Sequence, residues 1–256
     1  MQRQATTSNN KHMALIPLLL SALFSLPTHS AAQVNLLWPQ PQSIRYGVET
    51  LNLDPVAFTF KSTCAPSKIL EDAFGRYRGI IFGDSSCTPA LTGQNTRSRG
   101  VSASRDPSVF VNGVHDGKRA YASLVTLDVC ASSASEQLQL GVDESYTISI
   151  QANTSSLHSK TLFGALRGLE TFSQLVQCSN NGAFFFINSS PLTIIDAPRF
   201  PWRGLLIDTS RHFLPLRTIL NTIDALAFVK MNTLHWHAVD AQVRWGRGMK
   251  MVIEVP

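Results

Sequence analysis

The side chains best suited to chemistry gather late in the chain. Arg203 opens the run Arg-Gly-Leu-Leu-Ile-Asp, which ends in the carboxylate of Asp208, with Arg211 and His212 close behind. A second run, Thr-Leu-His-Trp-His-Ala-Val-Asp at residues 233–240, places His235 and His237 on alternate positions and ends in Asp240. Two apolar runs that each end in a carboxylate put acids where a parallel strand meets its loop, the end at which (β/α)8 barrels carry their chemistry. A guanidinium at such a mouth supplies several fixed donors to oxygen ligands. Two imidazoles one residue apart share a strand face and can chelate zinc. No CxxC pair or further histidine cluster accompanies them, so no metal or other cofactor is expected. Asp143-Glu144 is the only Asp-Glu pair and invites an acid–base reading. Adjacent side chains on a strand or tight turn point apart, however, and this segment must turn the chain into a strand at Tyr146, so a solvated turn is expected.

The elements that must position these residues follow from periodicity. Pro215 opens a helix whose Leu216, Ile219, Leu220, Ile223, Leu226 and Ala227 share one face, with Asn232 as its left-handed stop. Strand, helix and strand, followed by a third β-like run at 249–255, predict the start of a (β/α)8 barrel over residues 197–256. Residues 33–196 predict an α+β domain. Ile69, Leu70, Ala73, Phe74 and Tyr77 form a helical stripe, and residues 146–150 alternate as a half-buried strand. Leu162, Leu166, Leu169, Phe172 and Val176 form a second amphipathic helix, with Ser159 or Thr161 as its cap. Residues 184–187 and 192–195 read as short strands and residues 85–106 as loop.

Composition sets the outer bounds. The 256 residues are 44% hydrophobic and 15% charged, enough for a core and too little charge for a disordered chain. No triplet glycine repeat, heptad run or long apolar span beyond the N-terminus points to collagen, coiled coil or a multi-span membrane protein. Lys and Arg number 22 against 17 Asp and Glu, scattered along the chain, so no nucleic-acid partner is expected. Arg3 and Lys11 precede an apolar run at 14–26 and small residues at Ser30-Ala31-Ala32, the layout of a signal peptide over residues 1–32. The run is short for a ~30 Å hydrocarbon core, so no membrane span is expected after its removal. Four cysteines, Cys64, Cys87, Cys130 and Cys178, can pair in the secretory pathway with three connectivities. Asn153 and Asn188 head N-glycosylation triplets, the latter with Pro191 just beyond.

The blocks Phe200-Pro201-Trp202-Arg203-Gly204, residues 206–213, Lys230-Met231-Asn232 and residues 235–240 together resemble the start of the catalytic barrel of the β-N-acetylhexosaminidases, glycoside hydrolase family 20. Residues 37–41 and 141–146 resemble that family's N-terminal domain. The resemblance implies an exo-hydrolase that removes terminal N-acetylglucosamine or N-acetylgalactosamine by retaining, substrate-assisted catalysis, in which the sugar's 2-acetamido oxygen attacks the anomeric carbon. It implies that Arg203 binds hydroxyls of the terminal sugar, with a structural ion pair to Asp208 or another acid as the alternative. Asp240 would orient a histidine beside the catalytic acid. Asp208, Arg211, His235 and His237 would be framework at the strand ends. It further implies glycan substrates, a possible hexosaminidase dimer partner, and a lysosomal, vacuolar or extracellular destination.

The sequence also departs from the family's pattern. That pattern places its paired carboxylates in a His-x-Gly-Gly-Asp-Glu block, and this sequence holds no Gly-Gly pair. Between Asp240 and Arg247 the stretch Ala-Gln-Val-Arg-Trp-Gly is too short for a crossover between parallel strands, and reads as a junction from which a segment has been lost. Residues 199–256 are far fewer than the ~250 of a closed barrel, so an incomplete barrel is expected, with exposed apolar faces and no hydrolysis by this chain alone.

Overall fold

The computed structural model describes residues 37–64, 66–83, 121–133, 135, 137–179 and 184–238, together with the backbone of 250–254. The leader at 1–32, the loop at 85–106, Cys87, Asp240 and the junction at 241–246 lie outside the described residues. In chain order the first elements are β1 (Ser43–Arg45), β2 (Glu49–Leu53), β3 (Thr59–Ser62), α1 (Lys68–Phe82), β4 (Ala122–Ser123), β5 (Thr126–Ala131), β6 (Tyr146–Ile150) and β7 (Ser155–Ser159). There follow α2 (Leu162–Leu175), β8 (Gln177–Cys178), β9 (Phe185–Ser190), β10 (Leu192–Asp196), β11 (Gly204–Asp208), α3 (Leu216–Phe228), β12 (Thr233–His237) and β13 (Lys250–Glu254).

The largest sheet runs β1-β10-β6-β7-β5-β3 and is mixed: β3, β5 and β7 are parallel, while β1, β10, β6 and β7 pair antiparallel. Period-two alternation sets its buried face, with Tyr146, Ile148 and Ile150 inward on β6 and Leu127, Val129 and Ala131 inward on β5. Helices α1 and α2 pack together, and α2 lies on β5, β6 and β7. The second sheet, β4-β2-β9-β8, adds Leu51, Leu53, Phe185 and Ile187 to the same core. Phe58 stacks on Phe172 with ring centroids 5.7 Å apart, tying the chain before α1 to the middle of α2.

Helix α2 corrects the amphipathic expectation. It is buried nearly all round, Arg167, Glu170 and Thr171 included: α1 and strands β5, β6 and β7 pack against it, and Lys230, from the turn after α3, bonds to Thr171. Gly164 and Gly168 let it approach so closely: a Cβ on Gly164 would stand 2.4 Å from the Ser145 carbonyl oxygen. Thr161 is the cap, accepting from the Gly164 N–H at 3.2 Å, whereas Ser159 ends β7. The disulfide Cys64–Cys130 joins the end of β3 to β5, and Cys178 is disulfide-bonded as well.

The third sheet is β11-β12-β13. β11 and β12 are parallel, with α3 as the crossover and Asp208 in register with His237. Their own core is small: Leu226 and Leu234 with Ile207, Ile223 and Met231. Leu206, on the opposite face of β11, is 55% exposed. Two expectations fail here. β13 pairs antiparallel to β12, so it is not the next parallel strand of a barrel. The left-handed residue after α3 is Lys230 at φ 57°, not Asn232, whose side chain instead accepts from the Arg203 N–H and donates to the Pro201 carbonyl.

Candidate functional site

Two polar clusters lie at opposite ends of β11. At the end where the strand begins, Arg203 sits just before Gly204. Its Nη2 donates to Glu144 Oε2 at 2.6 Å, Nε to the Lys230 carbonyl at 2.8 Å and Nη1 to the Phe200 carbonyl at 2.8 Å. Glu144 is buried, and its other oxygen accepts from Arg167 Nε at 2.8 Å. The carboxylate is therefore clamped between two guanidiniums, one from α2 and one from the entry to β11. This overturns the solvated-turn reading for Glu144. Only Asp143 faces out, where the Ser145 side chain and N–H, with Lys160, hold its carboxyl down at about 2. The observed partner of Arg203 is thus a distant acid, the ion-pair alternative, and not Asp208.

Beside this clamp Lys230 is buried with its ammonium fully engaged. It donates to the Tyr146 hydroxyl at 2.7 Å, Thr171 Oγ1 at 2.6 Å and Asp196 Oδ2 at 3.2 Å, while the Tyr146 hydroxyl donates to Asp196 at 2.6 Å. Burial pushes the lysine's proton affinity down against the pull of Asp196, and burial with the Asp196 charge pushes the Tyr146 phenol up. None of these partners was singled out as a site residue from sequence. The available signal was the pair of charges, Arg167 and Glu170, set among the apolar residues of α2. A cleft of about 410 Å³ lined by Gln42, Arg199, Phe200 and Arg203 opens over the cluster.

At the C-terminal end of β11, Asp208 Oδ1 accepts from the N–H groups of Ser210 at 2.9 Å and Arg211 at 3.2 Å, and Oδ2 pairs with Arg211 Nη1 at 2.9 Å. Desolvation opposes ionisation of this carboxyl, but the two N–H groups, the Arg211 guanidinium and His237 outweigh it and lower its pKa. Trp236 Nε1 donates to Thr209 Oγ1 at 2.8 Å, and the Thr209 N–H to the His237 carbonyl at 3.0 Å, which knits the ends of β11 and β12 together. His235 and His237 share one face of β12, beside Leu206 and Asp208. Among the described residues no three His, Cys, Asp or Glu side chains are grouped to hold a metal. Arg203 stands five strand positions before Asp208, about 16 Å away at ~3.3 Å per residue. The structure thus brings Asp208, Arg211 and His237 together at the end where barrels work and leaves Arg203 at the other.

A parallel strand–helix–strand unit with a carboxylate–guanidinium pair at its C-terminal end, entered from an α+β domain, has the layout of a barrel hydrolase carrying an N-terminal accessory domain. Residues 37–175 match the family described as β-acetyl hexosaminidase like, and residues 200–246 match the catalytic domain of glycosyl hydrolase family 20. The chain belongs to this β-hexosaminidase family. It is 38% identical over 245 residues to β-hexosaminidase 1 of Arabidopsis thaliana, covering 92% of this chain and 42% of that protein. It is 40% identical over 221 residues to human β-hexosaminidase subunit beta, covering 84% of this chain and 35% of that protein. Among solved structures, the Flavobacterium johnsoniae chitobiase superposes with a TM-score of 0.58 at 28% identity, over 80% of this chain and 27% of that one. The chain therefore spans about two fifths of the length of the curated relatives named here.

Proposed function

We propose that this chain supplies the N-terminal domain, residues 33–196, and the first barrel strands, within residues 197–256, of a β-N-acetylhexosaminidase. The whole enzyme would cleave terminal N-acetylglucosamine or N-acetylgalactosamine from glycans by substrate-assisted retaining catalysis. The observation that carries this reading is the Asp208–Arg211 pair beside His237 at the C-terminal end of β11, inside the segment that matches the catalytic domain. In this reading Arg211, its side chain 64% exposed at that end, meets sugar hydroxyls. Arg203, expected from the resemblance to do so, instead anchors β11 to the N-terminal domain. Asp208 holds Arg211, His235 and His237 remain framework, and Asp240 orients a histidine beside the acid.

The oxazolinium-like intermediate needs a carboxylate facing it, and Asp143-Glu144, the only Asp-Glu pair in these residues, is taken by Lys160 and the two arginines. These residues alone therefore do not hydrolyse glycosides. The leader at 1–32 would route the chain into the secretory pathway, towards a lysosome, vacuole or the exterior, with Asn153 and Asn188 as glycan acceptors. The apolar residues exposed on α3 and β11 (Leu206, Leu216 and Leu220) favour a second reading, pairing with another hexosaminidase subunit.

A chimera tests the first reading: residues 33–238 replace the matching segment of a curated β-hexosaminidase. The chimera should hydrolyse a chromogenic N-acetylglucosaminide. Arg211→Ala should lower its kcat/KM by ~100-fold or more, about 3 kcal/mol of lost transition-state contact. A folded, active chimera indifferent to Arg211→Ala would overturn the assignment.

A further inference from the structure

Neither the Arg203 clamp nor the chemistry proposed above uses the carboxyl of Glu170, which lies midway along α2 and is 3% exposed. Oε1 accepts from Gln174 Nε2 at 2.9 Å. Oε2 is buried with no hydrogen-bond partner. The charged groups that face it from each packed element bind other partners. On α2 itself, Arg167 directs Nε to Glu144; from the turn after α3, Lys230 points its three N–H bonds at Tyr146, Thr171 and Asp196. From α1, Arg76 lies over the Tyr77 ring, and the Tyr77 phenol faces the carboxyl. On the sheet, Tyr146 and Asp196 are bound to Lys230 and to each other. An ionised Glu170 would bury a charge with one hydrogen bond, from Gln174, the Tyr77 phenol facing it and no N–H bonded to Oε2, an arrangement that favours the carboxyl keeping its proton.

We propose that Glu170 is a proton-binding site of the folded chain, its carboxyl carried neutral, so that the fold tightens as the solution is acidified. Burial raises this group above its ordinary 4.5, outweighing Gln174, Tyr77 and the charges of Lys230 and Arg167. The sign follows from linkage. The folded state holds one proton more than the unfolded chain above the ordinary glutamate value, so this contribution is complete below that value and is lost as pH rises through the raised one. One proton changes the unfolding equilibrium constant by at most about tenfold per pH unit. Asp143 and Asp208, held below their ordinary values, act in the opposite direction and at lower pH.

Urea unfolding of the full 256-residue chain from pH 5 to pH 8, beside Glu170→Gln, reads the effect. The unmodified chain should lose stability relative to the variant as pH rises, by up to tenfold in equilibrium constant per unit, and the variant should be the more stable of the two at pH 8. Parallel profiles would overturn the proposal. Should the variant fail to fold, the unmodified chain labelled with 13C at its glutamate carboxyls decides. A protonated-carboxyl stretch that persists above the ordinary glutamate value of 4.5 and fades as pH rises supports the site, and its loss at that ordinary value overturns it.

Discussion

Replacing Arg203 with methionine separates an anchoring role from a sugar-binding one. The substitution keeps an apolar stem but removes the donors to Glu144, the Lys230 carbonyl and the Phe200 carbonyl. Glu144 keeps Arg167 on one oxygen and loses its partner on the other. Breaking a buried ion pair from one side costs about 3–5 kcal/mol. The Arg203 side chain is 16% exposed, so water can reach part of the gap and the lower figure, about 3 kcal/mol, applies. For a folded unit of this size 1 kcal/mol moves Tm by ~2–4 °C, so the midpoint should fall by roughly 6–12 °C. Circular dichroism during thermal and urea unfolding measures this, with the urea slope unchanged if both states keep their compactness. Glu144→Gln should cost a similar amount, and the double substitution less than the sum of the two, since each removes the same contact. A midpoint within about 2 °C of the unmodified chain would refute the reasoning and return Arg203 to the sugar.

Other perturbations probe the core and the surface. Phe172→Ala removes the ring on which Phe58 stacks and should cost ~3–5 kcal/mol in urea unfolding, among the largest single losses in the domain. Replacing Cys64 and Cys130 together with serine opens a 66-residue separation and should destabilise by ~4 kcal/mol in the chain-entropy account, read as a lower urea midpoint under identical non-reducing conditions. Asp143 contributes stability in full above about 3.8 and loses it as pH falls towards about 2. Asp143→Asn should therefore flatten part of the acid-side decline, and an unchanged decline between pH 4 and pH 2 would contradict the contact with Ser145 and Lys160.

What could be read in the sequence was local. The alternation of Tyr146, Ile148 and Ile150 and the stripe of Leu70, Ala73 and Tyr77 become β6 and α1, because period alone decides which face is buried. The crossover from β11 through α3 to β12 was legible for the same reason. What escaped depends on distance along the chain. Glu144 looked like part of a solvated turn because the arginines that enclose it lie 23 and 59 positions away. α2 looked amphipathic because nothing in its own residues announces that α1 and the turn after α3 will pack on it as well as the sheet. Arg203 and Arg211 are both guanidiniums flanking one apolar run, and only the direction of β11 shows which stands at the C-terminal end. The antiparallel pairing of β13 could not be read from an apolar run.

Release of the chromogenic aglycone from a β-N-acetylglucosaminide by the purified 256-residue chain, with Asp208→Asn and Arg211→Ala beside it, puts the central claim to the test most directly. The account predicts no turnover above background for any of the three, because the Asp143-Glu144 pair is engaged in the fold and these residues hold no other adjacent Asp-Glu. Turnover by the unmodified chain that either substitution abolishes would contradict it, and would place a working acid among the residues already at the C-terminal ends of β11 and β12.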